Sequence, residues 1–241
     1  MATFFWGPQD DLIVPTPEVA FLMHRDDSGL CQAHRVGIPE KQLIDFAKQF
    51  GDEEKSFIDC GAHMGAYSIL LADYFGRVYA FEAQKRTYMQ LCGNIFINEK
   101  DNIDALNAGV SYLEDHGSLR SLTIVSEDGG GSTFCDTEEP ELGRNQCPMV
   151  ALDLMSIAKD EVGLIKLDVE GWEQNALKGA EEIISASRPP IIFESNSGRE
   201  VYQRQLELFG HLKERNYKIN KMMPFENMYL ALPEEYAQSG T

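Results

Sequence analysis

Phe57-Ile58-Asp59-Cys60-Gly61-Ala62-His63-Met64-Gly65-Ala66-Tyr67-Ser68-Ile69 begins as an apolar run and ends that run in an acid. Two glycines then frame a short loop, and a helix-like spacing follows. The pattern predicts a strand, a loop whose backbone a ligand can approach, and a helix that begins at that ligand. At strand spacing, Val78-Tyr79-Ala80-Phe81-Glu82 is a second apolar run ending in an acid. Two such strand ends side by side suit an adenosine-bearing cofactor.

The loop chemistry narrows the choice. A dinucleotide fingerprint has the spacing GxGxxG, with a pyrophosphate on the helix N-terminus. Here the spacing is Asp59-x-Gly61-x-x-x-Gly65, without the middle glycine and with an acid at the strand end. A carboxylate repels a pyrophosphate and favours a cation. S-adenosylmethionine presents a sulfonium and an ammonium, and Glu82 is placed to accept from both ribose hydroxyls. A nicotinamide-dependent oxidoreductase and a non-catalytic cofactor-binding module are the rival readings of the same strand-loop-helix signal.

A third strand end concentrates charge. Val162-Gly163-Leu164-Ile165-Lys166-Leu167-Asp168-Val169-Glu170-Gly171-Trp172-Glu173 runs from apolar residues into Lys166, Asp168 and Glu170. Alternate residues of a strand share a face, and ligands bind outside the carboxyl ends of parallel strands. These three are therefore the candidate catalytic or substrate-orienting residues, with Asp168 as base and Lys166 as an alternative or electrostatic partner. An ion-paired structural cluster is the plainer alternative. His24, His34, His116 and His211 are further possible bases that the sequence does not choose among.

The Asp59 loop, Ala80-Phe81-Glu82-Ala83, Ile165-Lys166-Leu167-Asp168-Val169-Glu170-Gly171-Trp172-Glu173 and Leu177-Lys178-Gly179-Ala180 together resemble the FkbM family of S-adenosylmethionine-dependent methyltransferases. The resemblance covers roughly residues 55–232. It implies a Rossmann-like class I methyltransferase fold, α/β, with a mostly parallel seven-stranded sheet and helices on both faces. It implies O-methylation of a hydroxyl on a sugar or small natural-product-like acceptor. The implied cofactor contacts are Asp59, Gly61, Ala62, His63, Gly65, Glu82, Ala83 and Asp168, with Asn107 and Ala108 beside the adenine. Two positions depart from the family pattern: His63 stands where Asn is usual, and Ala83 where Pro often follows the acid.

A metal-assisted variant is also legible. Pro190-Ile191-Ile192-Phe193-Glu194-Ser195-Asn196 ends the next strand, so Asp168, Glu194 and Asn196 would converge above the sheet. Such an oxygen-only set suits Mg²⁺ or Ca²⁺ rather than zinc. It resembles the Asp…Asp-Asn arrangement of catechol-type O-methyltransferases, with Glu-Ser-Asn in place of Asp-Asn.

The bulk properties set limits. With 39 acids against 21 bases the net charge is −18, which opposes general binding to nucleic-acid backbones. The expected partner is a small-molecule or carbohydrate acceptor. No apolar run is long enough to span a membrane, and Met1-Ala2-Thr3-Phe4-Phe5-Trp6-Gly7-Pro8 lacks the basic region of a signal peptide, so a cytoplasmic setting is expected. The five cysteines form no CxxC pair, and reduced thiols are expected.

Residues 1–50 read as an N-terminal extension that could join the substrate site, and 51–241 as the methyltransferase domain. Strands are expected at 56–60, 77–81, 103–107, 163–168, 190–194, 216–220 and 227–232, and helices at 65–75, 85–99, 172–187 and 200–215, an alternation that implies a parallel sheet. Residues 112–150 break the alternation with an antiparallel excursion. Within it, Ser126-Glu127-Asp128-Gly129-Gly130-Gly131-Ser132-Thr133 is either a solvent-exposed tip or a lid.

Overall fold

The computed structural model describes residues 13–15, 19–23, 38, 40–126, 130–134, 142–195 and 202–237. In chain order the main elements are β1 (Ile13–Pro15), β2 (Ala20–Leu22), α1 (Lys41–Ala47), β3 (Asp52–Cys60), α2 (Ala66–Leu71), β4 (Phe75–Phe81) and α3 (Lys85–Ile97). β5 (Ile103–Leu106), β6 (Gly109–Val110), β7 (Leu119–Thr123), β8 (Arg144–Val150) and β9 (Val162–Leu167) follow. The chain continues with α4 (Glu173–Lys178), α5 (Glu181–Ser187), β10 (Ile191–Glu194), α6 (Tyr202–Glu214), β11 (Tyr217–Lys221) and β12 (Met228–Pro233).

Seven strands form the central sheet in the order β11-β12-β10-β9-β3-β4-β5. β12 runs antiparallel to both β10 and β11, while the pairs among β10, β9, β3, β4 and β5 are parallel. Strand order reverses beside β3: the chain goes outward to β4 and β5, then returns to β9 on the other side. A ligand site in such a sheet lies beyond the strand carboxyl ends at this reversal.

Alternation along the strands supplies two cores. Phe57 and Leu164 join one cluster with Ile69, Leu71, Leu43 and Ile44; Ile58, Ile165 and Leu167 join the other with Ala176, Leu177, Ile183 and Ile184. Fully burying each large apolar side chain contributes about 1.5–3 kcal/mol. Phe21, Met23 and Ile38, from the first 50 residues, belong to the first cluster. Asn94 of α3 and Asn98, which caps it, bind the backbone of β2 there.

The helix expected at 172–187 is two helices. Gly179 lies between them because a Cβ there would stand 1.9 Å from the carbonyl oxygen of Ser111, so the backbones touch. The apolar spacing of the expected helix runs Trp172, Ala176, Leu177, Ala180, Ile183 and Ile184; across the break the last five are buried, while Trp172 is half-buried. The helix expected at 65–75 shortens to Ala66–Leu71 with a 3₁₀ turn at Ala72–Tyr74.

The antiparallel excursion is present: β7 pairs with β8 from Leu119↔Pro148 to Thr123↔Arg144. Cys60, Cys92 and Cys147 are free thiols, while Cys31 and Cys135 lie outside the described residues. Among the described residues no helix is long and apolar enough to cross a membrane.

Candidate active site

A cavity of about 520 Å³ opens where the strand order reverses. Its wall includes Gly61, Ala62 and His63 from the loop after β3, and Glu82 and Ala83 from the end of β4. Ala108 follows β5, and Lys166, Asp168 and Glu170 come from the end of β9. Eight of the expected cofactor and catalytic positions thus meet across one space, together with Asp168, which was assigned to both roles.

The loop is held by backbone geometry. Gly61 has φ +80, and a Cβ on it would stand 1.8 Å from the carbonyl oxygen of Asp168. Only a glycine lets the loop lie against the end of β9. Gly61 and Ala62 both donate N–H to the carbonyl of Phe81. His63 has φ +52, in the left-handed region that Asn, Asp and His enter more readily than other side chains. The backbone therefore accounts for a histidine standing where the resembled family has asparagine.

Glu82 is nearly buried, 7% exposed. One of its carboxylate oxygens accepts the N–H of His63 at 2.9 Å, the other the N–H of Gln84 at 2.8 Å. Burial raises its carboxyl above the usual range, and the nearby His63 and the two N–H donors oppose that rise. Both oxygens are fixed by main chain, so the carboxylate presents one orientation to the cavity.

At the other strand end, Lys166 is 3% exposed. Its ammonium lies 3.0 Å from Asp168, 3.9 Å from Asp59 and over the Tyr67 ring at 4.9 Å. Burial disfavours its charge, but the Asp168 and Asp59 carboxylates outweigh burial and hold it protonated beyond the ordinary lysine range. The electrostatic-partner reading of Lys166 fits this geometry; a base must give up that proton, and this lysine holds it.

Asp168, Glu170 and Glu194 bring carboxyl oxygens within 4.8 Å of one another. Burial works to raise Asp168, yet Lys166 and a hydrogen bond from Glu194 keep it below the usual carboxylate range. Burial and the Asp168 charge push Glu194 up to about 8, so at neutral pH it holds a proton and donates it to Asp168. Glu170 is raised by burial and then by the Asp168 charge, while it accepts the N–H of Gly131 at 2.9 Å.

Four expected positions among the described residues lie off this wall, and a fifth, Asn196, is outside them. Asp59 is fully buried behind the wall, where it accepts from Ser68 at 2.6 Å and faces Lys166. It shares the strand face of Phe57, which points toward α2, and in this structure its carboxylate meets Lys166. Gly65 caps α2 at φ +94 outside the wall. Asn107 spends its side-chain amide on the carbonyls of Glu82 and Ala83. Glu194 faces a second cavity. Among the alternative bases, His116 accepts the Ala151 N–H and His211 lies beside Glu181, both away from the cavity wall; His24 and His34 lie outside the described residues.

The Mg²⁺ reading fits poorly. The three carboxyl groups suit the ion in chemistry, but the Lys166 ammonium already lies 3.0 Å from Asp168 and opposes a second cation there.

The wall also contains Glu40, Tyr67, Gln84, Ser132 and Phe134. Tyr67 donates to Glu40 at 2.9 Å, which brings a residue of the N-terminal segment to the cavity. Ser132 donates to Gln84 at 2.7 Å, and Thr133 donates to the Glu170 carbonyl at 2.7 Å. The described end of the glycine-rich segment therefore lies across the cavity; Glu127, Asp128 and Gly129 are outside the described residues. Tyr67 was visible in the opening stretch as a helix residue, whereas Glu40 carries no sequence signal.

The second cavity, of about 500 Å³, adjoins the first through Phe134 and Glu170. It lies beyond β9 and β10, against the start of α4 and one side of α6, with Trp172, Glu173, Glu194, Arg204 and Glu207 among its residues.

The sheet order and the site at its reversal define a Rossmann-like methyltransferase fold. A family model described as the methyltransferase FkbM domain matches residues 59–219, and the chain belongs to that family. Among solved structures, methyltransferase FkbM from Methylobacillus flagellatus KT is 19% identical with a TM-score of 0.50. The alignment covers 74% of this chain and 43% of that one, so this chain spans less than half of that protein's length. SMU.1697c from Streptococcus mutans, solved in complex with SAH, is 12% identical with a TM-score of 0.51, over 80% of this chain and 95% of that one. An rRNA methylase from Streptococcus thermophilus is 14% identical with a TM-score of 0.50, over 80% and 93% of the two chains. At these identities the likeness is one of fold. No curated protein matches the chain.

Proposed function

We propose that this protein is an S-adenosylmethionine-dependent O-methyltransferase acting on a hydroxyl of a sugar or small natural-product-like acceptor. One observation carries the reading. A carboxylate fixed by two backbone N–H groups, Glu82, shares a cavity with the Lys166–Asp168–Glu170 cluster. Glu82 suits a ribose diol, and the cluster suits the reacting end of the same ligand. Bound there, the cofactor would supply a sulfonium-activated methyl group.

The protein's part is alignment and removal of one proton. With the cofactor held by Glu82 and the Lys166–Asp168–Glu170 cluster, its methyl carbon would pass to the acceptor oxygen and the carbon–sulfur electron pair would stay on sulfur, leaving one hydroxyl proton for the protein to remove. The hydroxyl proton passes to Glu170, which lines both cavities. Glu170 suits this role better than Asp168 because Asp168 is engaged by Lys166 and Glu194 and held below its usual range. A base works best with a pKa near the working pH, and Glu170 is shifted toward it. Asp168 and Lys166 then position the cluster.

Calorimetry with S-adenosylhomocysteine and with NAD tests the class: S-adenosylhomocysteine binds at one site and NAD does not, and the reverse result overturns the reading. Exhaustive EDTA treatment is expected to leave methyl transfer unchanged.

A further inference from the structure

The first cavity has two unlike ends on either side of Glu82. Beyond β5 its wall is apolar, with Ala108, Val110, Leu122 and Phe134. Toward β3 and β9 it is polar, with Lys166 and Asp168 from β9, Tyr67 from α2 and Glu40 from just before α1. A ribose at Glu82 divides S-adenosylmethionine in the same way. On one side is a flat base, and on the other a methionine portion that carries an ammonium. The base suits the apolar end and the methionine portion the polar one.

The carboxyl groups at the polar end are not equivalent. Asp59, the acid that the strand-end pattern offers to an ammonium, is fully buried against Ser68 and Lys166. Asp168 is engaged by Lys166 at 3.0 Å. Glu40 stands in the wall itself. One of its oxygens accepts the Tyr67 hydroxyl at 2.9 Å, and among the described residues it forms no ion pair. The Lys166 charge is matched by Asp168 and Asp59, so it does not oppose a cation at Glu40. Backbone fixes where Glu40 stands: its carbonyl accepts the N–H groups of Leu43 and Ile44, at the start of a helix whose Leu43, Ile44 and Ala47 are buried. Its φ is +53, in the left-handed region. A non-glycine residue there costs free energy that the surroundings must offset, and such residues gather at ligand sites.

We infer that Glu40 binds the ammonium of the cofactor's methionine portion, with Tyr67 as the residue that positions its carboxylate. The N-terminal segment then completes the cofactor site. The inference rests on the methyltransferase reading and adds to it the partner of one charged group. The Tyr67 hydroxyl holds one carboxylate oxygen and leaves the other for the ligand.

The test uses the whole chain and calorimetry with two ligands: S-adenosylhomocysteine, and its desamino analogue, which keeps the carboxylate and lacks only the ammonium. Wild type is expected to bind S-adenosylhomocysteine about tenfold tighter than the analogue, the size of one charge-assisted contact. Glu40 is exposed, and Glu40→Gln keeps an acceptor for Tyr67. This variant should weaken S-adenosylhomocysteine by about the same factor and leave the analogue within about twofold, so that the preference disappears. Tyr67→Phe should reduce the preference about threefold, the size of one neutral hydrogen bond, because the carboxylate loses its fixed orientation. Binding of the analogue reports that each variant is folded. Equal weakening of both ligands by Glu40→Gln makes Glu40 part of the wall's shape alone and overturns the inference while the function stands. A wild type without the preference, or a preference indifferent to Glu40→Gln, does the same. A preference unchanged in Tyr67→Phe removes Tyr67 from its positioning role. Failure of S-adenosylhomocysteine to bind wild type overturns the function and, with it, this inference.

Discussion

The two cavities are built in different ways. The first is made from three strand ends and a loop of consecutive residues, and main-chain contacts hold its parts: the Gly61 and Ala62 N–H groups on Phe81, and the His63 and Gln84 N–H groups on Glu82. The second draws on residues from β7 to α6, more than 80 positions apart, and side chains hold it: Arg120 on Asp115, Trp172 on Ser111. Backbone holds a shape that tolerates little change. Side chains hold one that can be altered position by position. In the proposed function, cofactor binding belongs with the first kind of construction, and acceptor choice would belong with the second.

The sharpest way to break this division is at the residue that both cavities share. Glu170→Gln keeps an oxygen for the Gly131 N–H but removes the proton acceptor. The expected loss in kcat is about 10²–10⁴, the span of general-base catalysis, with S-adenosylhomocysteine affinity within about twofold. An unchanged kcat would remove Glu170 from its assigned role. Glu82→Gln should divide the cavities the other way. Removing charge-assisted hydrogen bonds of about 1.5–3 kcal/mol should weaken S-adenosylhomocysteine roughly 10- to 150-fold by calorimetry. Acceptor KM at saturating cofactor should hold.

Both substitutions fall on residues that were visible in the chain before its fold was known, and the reason is local. Gly61 and Glu82 act within a few residues of the strands that carry them, so apolar runs ending in acids announced them. Asp59 was visible too, but its direction was not. Facing inward or outward is decided by which side of the sheet α2 covers, and that sets Asp59 against Ser68 and Lys166. The break at Gly179 depended on a backbone contact with Ser111, 68 positions away. Glu40 and the pairing of Phe134 with Trp172 likewise join segments far apart in sequence. Local pattern carries strands and loop chemistry; it does not carry the meeting of distant loops.

The acidic side of the second cavity has a stability consequence. Burial pushes Glu173 up to about 7 from an ordinary 4.5. Between those pH values the folded protein keeps a proton that the unfolded chain has released, so stability falls as pH rises through that window. The cost is complete above pH 7 and amounts to about 3 kcal/mol for a shift of this size. Glu173→Gln removes the titration and keeps an oxygen for the Val169 and Gly171 N–H groups. Urea denaturation should show the variant gaining about 3 kcal/mol on wild type between pH 4.5 and pH 8. A parallel pair of stability curves would show that Glu173 is solvated in the folded protein.

The smallest effect is expected at His63, in the stretch where the chain first showed its character. If the loop needs this residue for its backbone, an asparagine should serve as well, because both side chains enter the left-handed region. The N–H that reaches Glu82 is main chain and is kept. His63→Asn should change stability by no more than about 0.5 kcal/mol, the range of a substitution that breaks no named feature, and leave S-adenosylhomocysteine affinity within about twofold. His63→Val adds a β-branched side chain at φ +52 and should cost about 1–3 kcal/mol, with cofactor affinity falling as Glu82 loses its fixed donor. Should His63→Asn instead reduce kcat while binding and stability hold, the imidazole itself would be working at the reacting centre. The first cavity would then owe part of its chemistry to a side chain, and the contrast between a backbone-built cofactor site and a side-chain-built acceptor site would have to be redrawn at this residue.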